Sequence, residues 1–153
     1  MQDGQKLLVV AGWLSIVAGL LHIGCIIGGG DWYRFFGAGE EMAKAAEAGL
    51  WQPAIVTAAI ALILFIWAAY GFSGAGRIGR MPLLRTALVA IAAIYLLRGL
   101  FIIPILISPQ LRSPFNIWSS LIVLGYGLAY AVGTWRAWPR LSVNARKSKE
   151  LAV

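Results

Sequence analysis

Arg98 and His22 are the side chains of this 153-residue chain best placed to do chemistry away from water. Arg98 is the one formal charge deep in a long apolar run, within Tyr95-Leu96-Leu97-Arg98-Gly99. A charge near a bilayer centre costs about 2.5–3.5 kcal/mol on insertion scales, so one that persists there is paired or used. His22 is the sole histidine, and imidazole is the side chain whose ordinary pKa lies nearest neutrality. Each lies fifteen residues past the start of its run, at 83 and at 7. At a helical rise of about 1.5 Å per residue, both sit about 22 Å along, at matched depth. Tyr95 shares the face of Arg98, and Thr57 and Ser119 (beside Ser120) fall at a similar level of two other apolar runs. His22, Thr57, Tyr95, Arg98 and Ser119 are therefore the expected ligand-binding set. Arg98 would give a fixed positive charge, His22 a titratable one, and the hydroxyls orienting hydrogen bonds. Such a pocket suits a small anionic or amphipathic molecule, or a lipid headgroup. In the competing reading the cluster is structural, with Arg98 paired to Glu40, Glu41 or Asp31 or reaching outward to the interface.

Other chemistries fall away on residue counts and positions. A single cysteine, Cys25, excludes an internal disulfide and a dithiol relay. A single histidine excludes a multi-histidine metal site and a bis-histidine haem. The carboxylates are few and peripheral, so neither a two-metal site nor a paired-carboxylate hydrolase is expected. The acids lie outside the apolar runs, so no Ser-His-Asp arrangement can form around His22. Cys25 lies three residues from His22, but no acid orients that pair for nucleophilic chemistry. Gly74-Ala75-Gly76-Arg77-Ile78-Gly79 matches G-x-G-x-x-G by letter, yet the dinucleotide motif needs a preceding strand within a βαβ unit. It reads as a turn. No catalytic residue, metal or cofactor is expected.

The elements that would position the five residues follow from composition. Hydrophobic residues make up 60% and charged residues 12%, with mean hydropathy +0.79. Soluble domains carry about 25% charged residues, so this excess of apolar surface requires lipid. Runs at about 7–27, 51–72, 83–107 and 115–135 are long enough to cross a membrane as helices. The first should stop at Gly28-Gly29-Gly30, and the third should open after Pro82 and bend at Pro104. The fourth begins at Pro114, with Pro139 beyond its end. The fold class expected is an all-α antiparallel four-helix membrane bundle, residues 1–140, with an irregular basic tail at 141–153. A short helix at about 38–48, in the connection 31–50, should lie on the outer surface.

Lys6, Arg77, Arg80, Arg85, Arg136, Arg140, Arg146, Lys147 and Lys149 fall on one side, against Arg34, Lys44 and Arg112 on the other. By the positive-inside rule both termini face the cytoplasm, in the cytoplasmic (inner) membrane. The net charge of +7 is spent on that orientation, and nucleic-acid binding is not expected. The first run is long for a cleaved leader and lacks an A-x-A site, so it should be retained.

Small residues mark helix contacts in lipid. Gly12, Ser15, Gly19, His22 and Ile26 form one stripe, and Asn116, Ser119, Val123, Tyr126 and Tyr130 another. Gly125, Ala129 and Gly133 form a ladder that could pack inward or join two copies in a homo-oligomer. In size and helix count the chain resembles small four-helix bacterial membrane proteins of the DoxX-like kind, a likeness that implies architecture and no activity. The leading functional expectation is binding or passage of a small amphipathic or anionic molecule. A scaffold subunit of a larger membrane complex is the alternative, and an enzyme acting on lipid the third reading.

Overall fold

In an apolar medium every backbone amide must bond within its own segment, so long apolar runs fold as helices. The computed structural model describes residues 3–150, and the side chains of residues 3–142. Its elements are α1 (Asp3–Phe35), α2 (Glu40–Glu47), α3 (Gln52–Gly74), α4 (Leu84–Leu100), α5 (Ile102–Ile107) and α6 (Pro114–Glu150), with a 3-10 turn at Pro109–Leu111. No strand occurs among the described residues. Four helical stretches are long and apolar enough to cross a membrane: Asp3–Phe35, Gln52–Gly74, Leu84–Ile107 and Pro114–Ser142.

Three boundaries depart from the simple reading, each for a local reason. The triple glycine bends α1 without ending it. Gly29 takes φ 65°, ψ −149°, a conformation open to glycine, and the chain then resumes as helix to Phe35. The bend folds Trp32 back along α1, where a Cβ on Gly28 would overlap the indole. The third run breaks at Phe101, between α4 and α5. Pro104 has no N–H for the Leu100 carbonyl four residues back, and its ring crowds that carbonyl, so α4 ends there. α6 runs through Pro139 instead of stopping before it. Ala137 and Leu141, 2% and 4% exposed on either side, hold that turn against the core. The expected irregular tail thus begins inside a helix. Its side chains from residue 143, with Arg146, Lys147 and Lys149, and its last three residues lie outside the described residues.

α1 packs along α3 and α6, and α4 packs along α6 and α3. Glycines set the closest approaches. A Cβ on Gly71 would lie 3.2 Å from Gly12 of α1, and one on Gly99 only 2.6 Å from the Leu124 backbone of α6. Gly127 faces Leu96 in the same way. At one end, Gln5 Nε2 donates to the Ala75 carbonyl (3.0 Å) and Arg80 to the Leu141 carbonyl (3.1 Å). These bonds gather the start of α1, the α3–α4 connection and the end of the apolar part of α6. That connection carries the glycine motif. Gly76, at φ 72°, closes α3 with the Arg77 amide bonded to the Phe72 carbonyl, which is a helix-ending turn. At the opposite end Ala43 of α2 is buried against Cys25 and Tyr33, and Phe36 meets Phe115 edge-on. The apolar side of α2 is therefore used against α1.

Candidate functional site

The five expected residues do not converge through hydrogen bonds. Among the described residues no hydrogen bond or ion pair joins any two of them. His22 is half-buried, and its Nδ1 lies 2.8 Å from the Ala18 carbonyl of its own helix. Thr57 is buried on α3, 5% exposed. Ser119 bonds the Asn116 carbonyl within its own helix (3.3 Å). Arg98 is exposed and donates through Nη1 to Ser120 Oγ at 3.3 Å, with Phe101 beside it. The hydroxyl at Arg98 is thus that of Ser120, one position from Ser119. One residue turns a helix by about 100°, which decides the partner.

Tyr95 belongs to a different constellation, at the meeting point of four helices. Ser15 Oγ (α1) lies 3.0 Å from both Tyr95 OH (α4) and Tyr130 OH (α6). Tyr130 OH donates to the Trp67 carbonyl (α3) at 2.8 Å. A hydroxyl carries one proton, so the rest of the chain has one direction. With Tyr130 donating to Trp67, Ser15 must donate to Tyr130, and Tyr95 to Ser15. Ser15 and Tyr130 are fully buried. Around them Tyr95 stacks on Tyr130 and meets the edges of Trp67 and Tyr126, with ring centroids 4.9–5.7 Å apart. The chain ends on a peptide carbonyl, which accepts a proton in a hydrogen bond and passes none on. Its chemistry is that of a latch.

Three of the four outer carboxylates, Asp31, Glu40 and Glu47, are committed elsewhere. Arg34 bonds Glu40 through Nε (2.8 Å) and Nη2 (3.0 Å), and Glu47 through both Nη atoms, with Asp31 at 3.6 Å. The Arg34 bonds hold the carboxyls of Glu40 and Glu47 below the usual carboxylate range. Gly30 makes room for this, since a Cβ there would strike the Glu47 carboxylate. Arg98 forms no ion pair with Asp31, Glu40, Glu41 or any other carboxylate among the described residues. Nor do three of His, Cys, Asp and Glu converge there as metal ligands would.

Comparison with protein families, with curated proteins and with solved structures finds no match. The site must therefore be read from its own geometry. Ser15, Tyr130 and Tyr126 were visible as inward stripes, but a stripe does not say which member meets which. Ser120, Trp67 and the arginines Arg80 and Arg140 carried no spacing signal that set them apart. The glycine ladder is divided: Gly133 packs against Leu7 and Leu8 of α1, whereas Gly125 has nothing within 4 Å of a Cβ placed on it.

Proposed function

We propose that this chain is an integral protein of the cytoplasmic membrane that binds a small amphipathic anion through Arg98 in the outer half of an antiparallel four-helix bundle. Both termini then face the cytoplasm, and α2 caps the outer side. The observation that carries this reading is the state of Arg98. It lies fourteen residues, about 21 Å, beyond the start of α4, is exposed, and among the described residues its side chain bonds the Ser120 hydroxyl with the Phe101 ring beside it. A guanidinium offers five donors in a planar fork suited to a carboxylate or phosphate. In a membrane setting an unpaired arginine is costly, and an anionic ligand removes that cost. His22, Thr57, Tyr95 and Ser119 are on this reading neighbours of the binding level, with Ser120 orienting Arg98.

The test is native mass spectrometry of the gently extracted protein. A stoichiometric anionic adduct should be present, and Arg98→Leu should lose it while helix content and elution volume stay unchanged. An adduct unaffected by Arg98→Leu, or a protein bound only to another polypeptide, would move the reading to a scaffold subunit.

A further inference from the structure

A cavity of about 140 Å³ opens at the basic end, where α1 begins, α3 joins α4 and the apolar part of α6 ends. Arg80 and Arg140 line it with Gln5 and Ser73, over the apolar Ile78 and Leu84. No carboxylate lines it. The one acid described at this end, Asp3, is already paired with Lys6 at 3.7 Å. Arg80 gives Nη2 to the Leu141 carbonyl, which fixes it at the rim and leaves Nε and Nη1 available. Arg140 makes no ion pair with the described residues. Ser73 accepts from the Met81 amide (3.0 Å) and donates to the Gly79 carbonyl (2.9 Å), so it pins the loop that carries Arg80. The cavity is thus built from two guanidiniums on a braced frame, with no carboxylate among the described residues lining it.

Its setting selects the form of the anion. An open groove lined by residues 80–86 adjoins the cavity, shares Arg80 and Leu84 with it, and runs past Pro82 and Leu83, the latter 79% exposed. Trp135 and Trp138, both exposed on α6 just before Arg140, mark the level at which aromatic rings meet lipid headgroups. A free anion would need only the cavity, whereas a headgroup with its glycerol and acyl chains would fill the cavity and the groove together.

We propose that this cavity binds the phosphate of an anionic phospholipid, held between Arg80 and Arg140, with the glycerol and acyl chains leaving along the groove past Leu83. This site is separate from the one assigned to Arg98 and rests only on the membrane setting. A basic side chain near an anionic leaflet contributes about 1 kcal/mol, which is about fivefold in affinity.

The full-length protein would be titrated with phosphatidylglycerol and phosphatidylcholine in equal amounts and read by native mass spectrometry. Phosphatidylglycerol should be retained in preference. Arg140→Gln, which removes no hydrogen bond or ion pair among the described residues, should weaken it about fivefold, and Arg80→Gln by at least as much. Arg136→Gln removes the same charge from the same helix outside the cavity and should leave the preference intact. Equal retention of the two lipids would overturn the proposal. Losses as large in Arg136→Gln as in Arg140→Gln would also overturn it, by showing a diffuse field. Inorganic phosphate that displaces phosphatidylglycerol and binds alone would overturn the lipid assignment in favour of a soluble anion.

Discussion

Replacing Tyr130 by Phe should destabilise the protein more than replacing Tyr95 by Phe, although both lose one phenolic hydroxyl from the same cluster. The direction of the hydrogen-bond chain makes the difference. Tyr95 is the first donor, and its loss leaves Ser15 still donating to Tyr130 and Tyr130 to the Trp67 carbonyl. One bond is lost, and no buried donor is stranded. Tyr130 is in the middle, and its loss removes two bonds and leaves the fully buried Ser15 hydroxyl without its acceptor. Side-chain hydrogen bonds in membrane proteins average about 0.6 kcal/mol and reach about 1.7. Tyr95→Phe should therefore cost about 0.6 kcal/mol, and Tyr130→Phe about 1–3. Both substitutions keep the ring, so the aromatic contacts with Trp67 and Tyr126 remain. The double variant should cost more than the sum, because in Tyr130→Phe alone the Ser15 proton can turn to Tyr95, and the double variant removes that acceptor as well. Unfolding in mixed micelles, followed by far-UV circular dichroism, measures all three. Equal costs, or a larger cost for Tyr95→Phe, would show that the chain does not run from Tyr95 to Trp67.

The close helix approaches give a sharper contrast. Gly99→Ala places a Cβ 2.6 Å from the Leu124 backbone and should cost about 1–3 kcal/mol, whereas Gly125→Ala meets nothing and should be neutral in the same assay. The outer clamp predicts a pH dependence. Arg34 lowers the carboxyls of Glu40 and Glu47 from 4.5, so its hold on α2 is complete above that value and lost as pH falls through their lowered values. The protection of the α2 amides, taken as the ratio of the unstructured to the observed exchange rate at each pH, should fall below about pH 4.5. In Arg34→Gln that protection should already be low at neutral pH and change little with acid, and a steep acid loss of protection that persists there would refute the assignment.

Hydropathy made the four spans legible because lipid demands long uninterrupted helices, and Arg98 stood out because charge is expensive inside them. Charge asymmetry grouped Lys6, Arg77, Arg80 and Arg140, and the bonds from Gln5 to Ala75 and from Arg80 to Leu141 bring their segments together. Matched depth, however, is one coordinate of three. His22 and Arg98 were paired by counting along the axis, but α1 packs on α3 and α6 while α4 packs on α6 and α3, so the two helices face one another diagonally. The rotation of each helix decides which residues meet, and that rotation is set by glycines whose signal is the absence of a side chain. Gly12 against Gly71, and Gly99 against Leu124, bring the backbones close enough for short Ser15 to reach Tyr95 and Tyr130 across the interior. The same approach leaves Arg98 exposed on α4, bonded to Ser120 and beside the Phe101 ring. Close packing at the centre thus fills the hydroxyl cluster with protein and leaves Arg98 at one level of the bundle, and Arg80 and Arg140 at its basic end, with donors to spare among the described residues.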